Sequence, residues 1–148
     1  MVELEPLIIL LIEDDPADQK LIKTSLKNQK IANDLRVVNS GEEGLDFLHH
    51  CGNYASEIAW PDLILLDLNM PGMGGKEFLR QMKGDENLKH IPVVILTTSD
   101  SERDIIETYR LQASGYVKKP VTLDEFRQAM GKIEEYWFVL CKRPPKEC

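Results

Sequence analysis

Cysteine is scarce in this chain. Cys51, Cys141 and Cys148 are an odd, scattered set with no CxxC spacing. They read as free thiols of a reducing cytosol and exclude a disulfide framework or a thiolate metal knuckle. Long apolar runs are missing too. The longest early one, Leu7 to Ile12, is too short to span a bilayer and follows Glu3 and Glu5, where a signal peptide would carry basic residues. A cytoplasmic protein with no membrane span is therefore expected. Positive charge is in short supply: 18 Lys and Arg stand against 25 Asp and Glu, a net charge of −7. No basic stripe appears, which argues against nucleic acid and anionic membrane surfaces as partners. A glycine-rich phosphate loop is also absent. Where a nucleotide- or flavin-binding module would place it, after the first apolar run, stands Glu13-Asp14-Asp15-Pro16, which repels phosphate unless a metal intervenes. There is no internal repeat and no low-complexity tract.

What is present suits a single domain with a core: 148 residues, 43% hydrophobic and 29% charged. Leu7-Ile8-Ile9-Leu10-Leu11-Ile12 is continuous, the mark of a strand covered on both faces. Pro16 opens a helix carrying Leu21, Ile22 and Leu26. Leu35, Val37 and Val38 suggest a second strand, and Gly41 to His50 a short helix. Residues 50–61 read as a long loop. Leu63 to Leu66 is a third strand, Lys76 to Lys83 a helix, Val93 to Leu96 a fourth strand, Glu102 to Leu111 a helix, Gly115 to Lys118 a fifth strand, and about Thr122 to Leu140 a last helix. Strand and helix alternate five times. The expected fold is α/β, a doubly wound five-stranded parallel sheet with helices on both faces and right-handed crossovers. In such sheets the working site lies beyond the carboxyl ends of the strands.

Those ends are chemically loaded. The first strand ends in Glu13-Asp14-Asp15, the third in Asp67, the fourth in Thr97-Thr98-Ser99 and the fifth in Lys119-Pro120. Crowded carboxylates repel one another, and a cation relieves the repulsion. Oxygen ligands without thiols suit a hard ion such as Mg2+. Beyond Asp67 the turn Asn69-Met70-Pro71-Gly72 offers backbone carbonyls, that of Asn69 in particular. Carboxylates, a hydroxyl and an ammonium around Mg2+ make a phosphoryl-transfer site, where positioning and charge neutralisation carry most of the catalysis. Asp67 would be the nucleophile, forming an acyl phosphate, with Thr97 and Lys119 on the phosphoryl oxygens. Each piece also has a plain structural reading. Asp15 and Pro16 make a helix cap, threonines are common in strands, and a Lys-Pro pair is commonly just solvated. It is the register of four strand ends that favours the chemical reading.

The stretches IILLIEDDP, DLILLDLNMPGMGG, IPVVILTTSD and ASGYVKKPVT together resemble the receiver domain of two-component response regulators, the CheY-like fold, in that family's order and spacing. The resemblance implies strand order 2-1-3-4-5 and Asp67 as phosphoacceptor. It also implies Glu13 and Asp14 as the acid pair for Mg2+, the Asn69 carbonyl as a further ligand, Thr97 as the switch hydroxyl, Tyr116 as the switch aromatic and Lys119 as the phosphate-binding ammonium. The Lys119–Pro120 bond is expected to be cis. Asn69 and Thr98 are placed to tune a hydrolytic water, so the domain would also act as a timer. Two positions depart from the family: Gly74 stands where Asp is frequent, and Gln112 where Gly often ends the fourth helix. A non-glycine residue in a left-handed cap costs about 1 kcal/mol, so a differently built helix end is expected there.

Within the family, HHCGNYASEIAWPDL and GKIEEYWFVLCKRPP are similar to small single-domain regulators serving cyanobacterial phytochromes. That implies a light-sensing histidine kinase as partner and an unidentified downstream protein. Leu123, Phe126, Met130, Ile133, Trp137 and Leu140 form a stripe at intervals of three and four, ordinary core packing. Tyr136, Trp137, Phe138, Val139 and Leu140 are consecutive, so apolar groups surround the helix and call for a second partner. A homodimer through helix four, strand five and helix five is expected. Residues 1–148 would form one receiver domain, with its core at about 6–135 and an extension at 136–148, leaving no room for a DNA-binding domain. The enzymatic rival is a Mg2+-dependent phosphatase with an aspartyl nucleophile. That chemistry calls for a second acid two residues after the first, where this chain has Asn69.

Overall fold

The computed structural model describes residues 6–27, 32–50, 60–98 and 101–119, with Asp124 and Gln128. Its elements are β1 (Leu7–Ile12), α1 (Pro16–Lys27), β2 (Asn33–Val38), α2 (Gly41–Leu48), β3 (Leu63–Leu66), α3 (Gly75–Lys83), β4 (Val93–Thr97), α4 (Glu102–Arg110) and β5 (Gly115–Lys118). All four strand pairings are parallel and the order is β2-β1-β3-β4-β5, as expected. Residues 51–59 of the loop expected at 50–61, most of the last helix with Tyr136, Trp137, Phe138 and Val139, and Pro120 with its peptide bond lie outside the described residues; Asp124 and Gln128 are helical.

The unbroken apolar run of β1 divides its residues between two layers. Leu10 and Ile12 join Ile64, Leu66, Val93 and Ile95 under Phe47 and Leu48 of α2 and Phe78, Leu79 and Met82 of α3. Leu7, Ile9 and Leu11 join Leu63, Leu65, Val94 and Leu96 under Ile22 and Leu26 of α1. Successive residues of a strand face opposite ways, so a strand covered on both sides must be apolar at every position. Each such side chain, fully buried, stabilises the fold by about 1.5–3 kcal/mol.

The ends of α2, α3 and β4 shift by one or two residues from the sequence expectation, and two further differences have a physical reason. β2 begins at Asn33, because Asn33 and Asp34 pair with Leu7 and Ile8 despite being polar. The end of α4 is the second. Gln112 takes the left-handed conformation itself, with φ 68°. Its N–H donates to Tyr109 O at 3.0 Å and that of Ala113 to Thr108 O at 3.0 Å. The helix therefore closes with the hydrogen-bond pattern a glycine cap would make, and a differently built end is not found. Restoring glycine, Gln112→Gly, should relieve the left-handed strain and raise stability by about 0.5–1 kcal/mol, read as a higher urea midpoint. A lower midpoint would mean that Gln112 makes a compensating contact.

Candidate functional site

Register brings the strand ends together. Ile12 pairs with Leu66 across the centre of the sheet, so Glu13 and Asp67 leave their strands side by side. Asp67 N–H donates to Ile12 O at 3.1 Å and Glu13 N–H to Val38 O at 3.1 Å, which fixes both backbones. Thr97 pairs with Lys118 at the ends of β4 and β5, and Lys119 N–H donates to Thr97 O at 2.7 Å. One rim of the sheet thus carries Glu13, Asp67, Thr97 and Lys119.

The loop after β1 divides its acids. Asp15 accepts from Ala17 N–H at 2.9 Å and caps α1, with Pro16 at the first helical position. The capping reading therefore holds for Asp15. Glu13, Asp14 and Asp67 instead converge: each offers an oxygen, and the three lie within 4.8 Å of one another. Glu13 and Asp67 are buried. Asp67 Oδ1 is buried without a hydrogen-bond partner, an expensive arrangement for a carboxylate oxygen unless a ligand completes it. All-oxygen donors and one orphaned buried oxygen fit a hard divalent cation.

Lys119 is enclosed among these acids, its side chain 6% exposed. Its Nζ donates to Glu13 Oε1 and, at 2.7 Å, to Asp18 Oδ2, and lies 3.6 Å from Asp67 Oδ2. Burial pulls the ammonium down, but the hydrogen bonds to Asp18 and Glu13 and the charge of Asp67 outweigh it, so its pKa moves up. Burial lifts Glu13 from 4.5 to about 7; the hydrogen bond from Lys119 opposes this, and the charge of Asp67 adds to the lift. A raised folded-state pKa means that the native protein binds the proton more tightly than the unfolded chain. The stabilisation is complete below about pH 4.5 and is lost as pH rises through about 7. In chelator, the urea midpoint should fall across that window, and Glu13→Gln should flatten the fall. An equal slope in both proteins would remove Glu13 as the cause.

The other expected residues sit close by. Asn69 is exposed, and its Nδ2 donates to Thr97 Oγ1 at 3.4 Å; Thr97 is buried and Thr98 exposed. Tyr116 is half-buried, packed against the core layer beneath α2 and α3. Two participants carry no signal that was read in the sequence. Asp18 looks like an ordinary acid in a first helical turn. Gly75 hides in a glycine pair, yet a Cβ there would lie 2.4 Å from Asp67 O. The doublet itself was the available clue.

Comparisons with known proteins bear on the fold and the family. Response regulator Rcp1 of a Synechocystis strain is 39% identical over 132 residues, covering 89% of each chain. Among solved structures, the phosphorylated cyanobacterial phytochrome response regulator RcpA superposes with a TM-score of 0.88 at 39% identity, over 95% of this chain and 100% of that one. The Mn2+-bound form of Rcp1 superposes with a TM-score of 0.86 at 38% identity, over 95% and 100%. Among the described residues, no helix is long and apolar enough to cross a membrane. Residues 9–131 match the response regulator receiver domain family, and the chain belongs to it.

Proposed function

We propose that residues 1–148 act as one cytoplasmic receiver domain that takes a phosphoryl group from a sensor histidine kinase, of the phytochrome type, onto Asp67. The observation that carries this reading is the buried, unpartnered Asp67 Oδ1 beside two further carboxylates and the Lys119 ammonium. The kinase assignment is supported by the phytochrome regulators among the similar structures. Glu13, Asp14, Asp67 and the Asn69 carbonyl would hold Mg2+. The ion, when bound, neutralises charge on the phosphoryl oxygens and on the acid cluster.

In the transfer, an Asp67 oxygen attacks phosphorus, the phosphohistidine P–N bond breaks, and the imidazole leaves with the electron pair and takes a proton. Asp67 becomes a mixed anhydride. Lys119 pairs with the phosphoryl oxygens and Thr97 donates its hydroxyl to them. The group adds nearly two negative charges. Thr97 shifts toward it, Tyr116 follows inward, and the face of α4, β5 and the fifth helix changes population. Asn69 and Thr98 set the pace of hydrolysis, which restores Asp67. Output runs through protein contacts with a downstream partner and a second copy of the chain. Ile106 and Tyr109, 45% and 49% exposed on α4, are apolar surface that such a contact would cover.

The test is labelling. With Mg2+ and acetyl phosphate the protein should gain the mass of one phosphoryl group, hydroxylamine should remove it, and chelator should prevent it. No gain in mass would overturn the reading. The phosphatase alternative needs an acid two residues beyond Asp67, and Asn69 supplies none; sustained release of phosphate from small phosphoesters would favour it.

A further inference from the structure

Asp18 has no part in the reaction proposed above, yet it takes one of the hydrogen bonds of Lys119. It sits in the first turn of α1, and its Oδ2 lies 2.7 Å from Lys119 Nζ, nearer than Asp67 Oδ2 at 3.6 Å. We propose that Asp18 is a positioning residue that holds the Lys119 ammonium off Asp67 before phosphorylation and yields it to the phosphoryl group afterwards. The idea rests on the phosphoacceptor reading of Asp67.

Burial decides which partner can let go. Lys119 is enclosed, so its donors turn to carboxylates and not to water. Glu13, at 1% side-chain exposure, has no water to take the lysine's place. Asp18 is 26% exposed and can be rehydrated when the lysine leaves. Release is therefore far cheaper on the Asp18 side. The ammonium can swing to a doubly charged phosphoryl group while Asp18 turns to solvent. Until then Asp67 stays loosely paired and open to a cation.

Removing the charge of Asp18 has two consequences of opposite sign. Lys119, released, pairs more closely with Asp67 and competes with a cation for it, and the site loses a negative charge. Mg2+ binding weakens. The phosphoryl group, in contrast, no longer competes with Asp18 for the lysine, so phosphoryl binding tightens once Mg2+ is saturating. An acid that served the helix dipole alone would change stability and would not split the two affinities.

The experiment titrates Mg2+, and then beryllofluoride as a phosphoryl mimic at saturating Mg2+, into the full chain by calorimetry. Asp18→Asn should weaken Mg2+ about threefold to tenfold and tighten beryllofluoride by a similar factor. Asp15→Asn removes a charge from the same loop without touching Lys119, and should leave beryllofluoride within about twofold of wild type. Asp18→Ser serves as a second variant and should repeat the split. Both affinities falling together, or neither changing, in variants that melt like wild type would overturn the assignment. If wild-type protein binds neither Mg2+ nor beryllofluoride, the phosphoacceptor reading fails and this inference with it. Wild-type binding of both without an opposite split in the variants refutes the role of Asp18 alone.

Discussion

Asp67→Asn should lower acetyl-phosphate labelling by at least about a thousandfold, the scale of loss seen when an enzyme nucleophile is removed. The amide oxygen is a weak nucleophile and carries no charge to share with a cation. One of the three convergent carboxylates disappears as well, so Mg2+ binding should fall in the same variant. Folding should not suffer in parallel. Asp67 is buried, leaves Oδ1 unpartnered and repels Glu13, so its neutral isostere removes a source of repulsion; its pairing with Lys119 spans 3.6 Å, and the lysine retains Glu13 and Asp18. A thermal midpoint at or above that of wild type, together with lost labelling, is the expected pair of results. Labelling equal to wild type would place the acceptor elsewhere. A collapse in stability would make the labelling loss uninformative, and would show that Lys119 depends on Asp67 more than its distance indicates.

The site was legible in the sequence to the degree that its parts are strand ends. An apolar run that ends in an acid, a hydroxyl or an ammonium is a one-dimensional pattern. Parallel pairing converts four such patterns into one rim without any further information. Asp67, Glu13 and Lys119 could be placed in this way. Asp18 could not, because its meaning depends on a lysine 101 residues away and its own surroundings read as a helix start. The start of β2 was missed for a related reason: Asn33 and Asp34 are strand residues by pairing with Leu7 and Ile8, not by propensity. At Gln112 the sequence rule was sound about cost but silent on whether the chain would bear it. The hydrogen bonds that close α4 outweigh roughly 1 kcal/mol of backbone strain. Lys76 illustrates the same limit. It reads as a helix surface residue, yet it ties α3 to α4 through Asp104 at 2.5 Å and Glu107 at 2.6 Å.

Gly75→Ala should be the most destabilising change near the site that leaves all its chemical groups in place. Two glycines stand together where the chain turns from Asp67 into α3, and they are not equivalent. At Gly74 a Cβ would meet Leu68 O at 3.7 Å, ordinary contact. At Gly75 it would lie 2.4 Å from Asp67 O and 2.8 Å from Leu68 Cα, both backbone atoms. Neither can rotate away as a side chain would, and Gly75 N–H is tied to Leu68 O at 3.2 Å. The turn must open, at a cost of about 3 kcal/mol, the upper part of the usual range for overpacking. In a domain of this size that corresponds to a fall of about 10 °C in thermal midpoint. Since the displaced backbone is that of Asp67 itself, labelling should fall with it. Gly74→Asp should act in the opposite direction. Gly74 is the N-cap of α3 and makes no side-chain capping bond, and its φ of −67° admits any residue. An aspartate there can accept an N–H of the first turn and adds a few tenths of a kcal/mol. Alanine tolerated equally at both positions would mean that the turn after Asp67 yields easily, and that the position of Asp67 is set by the strand alone.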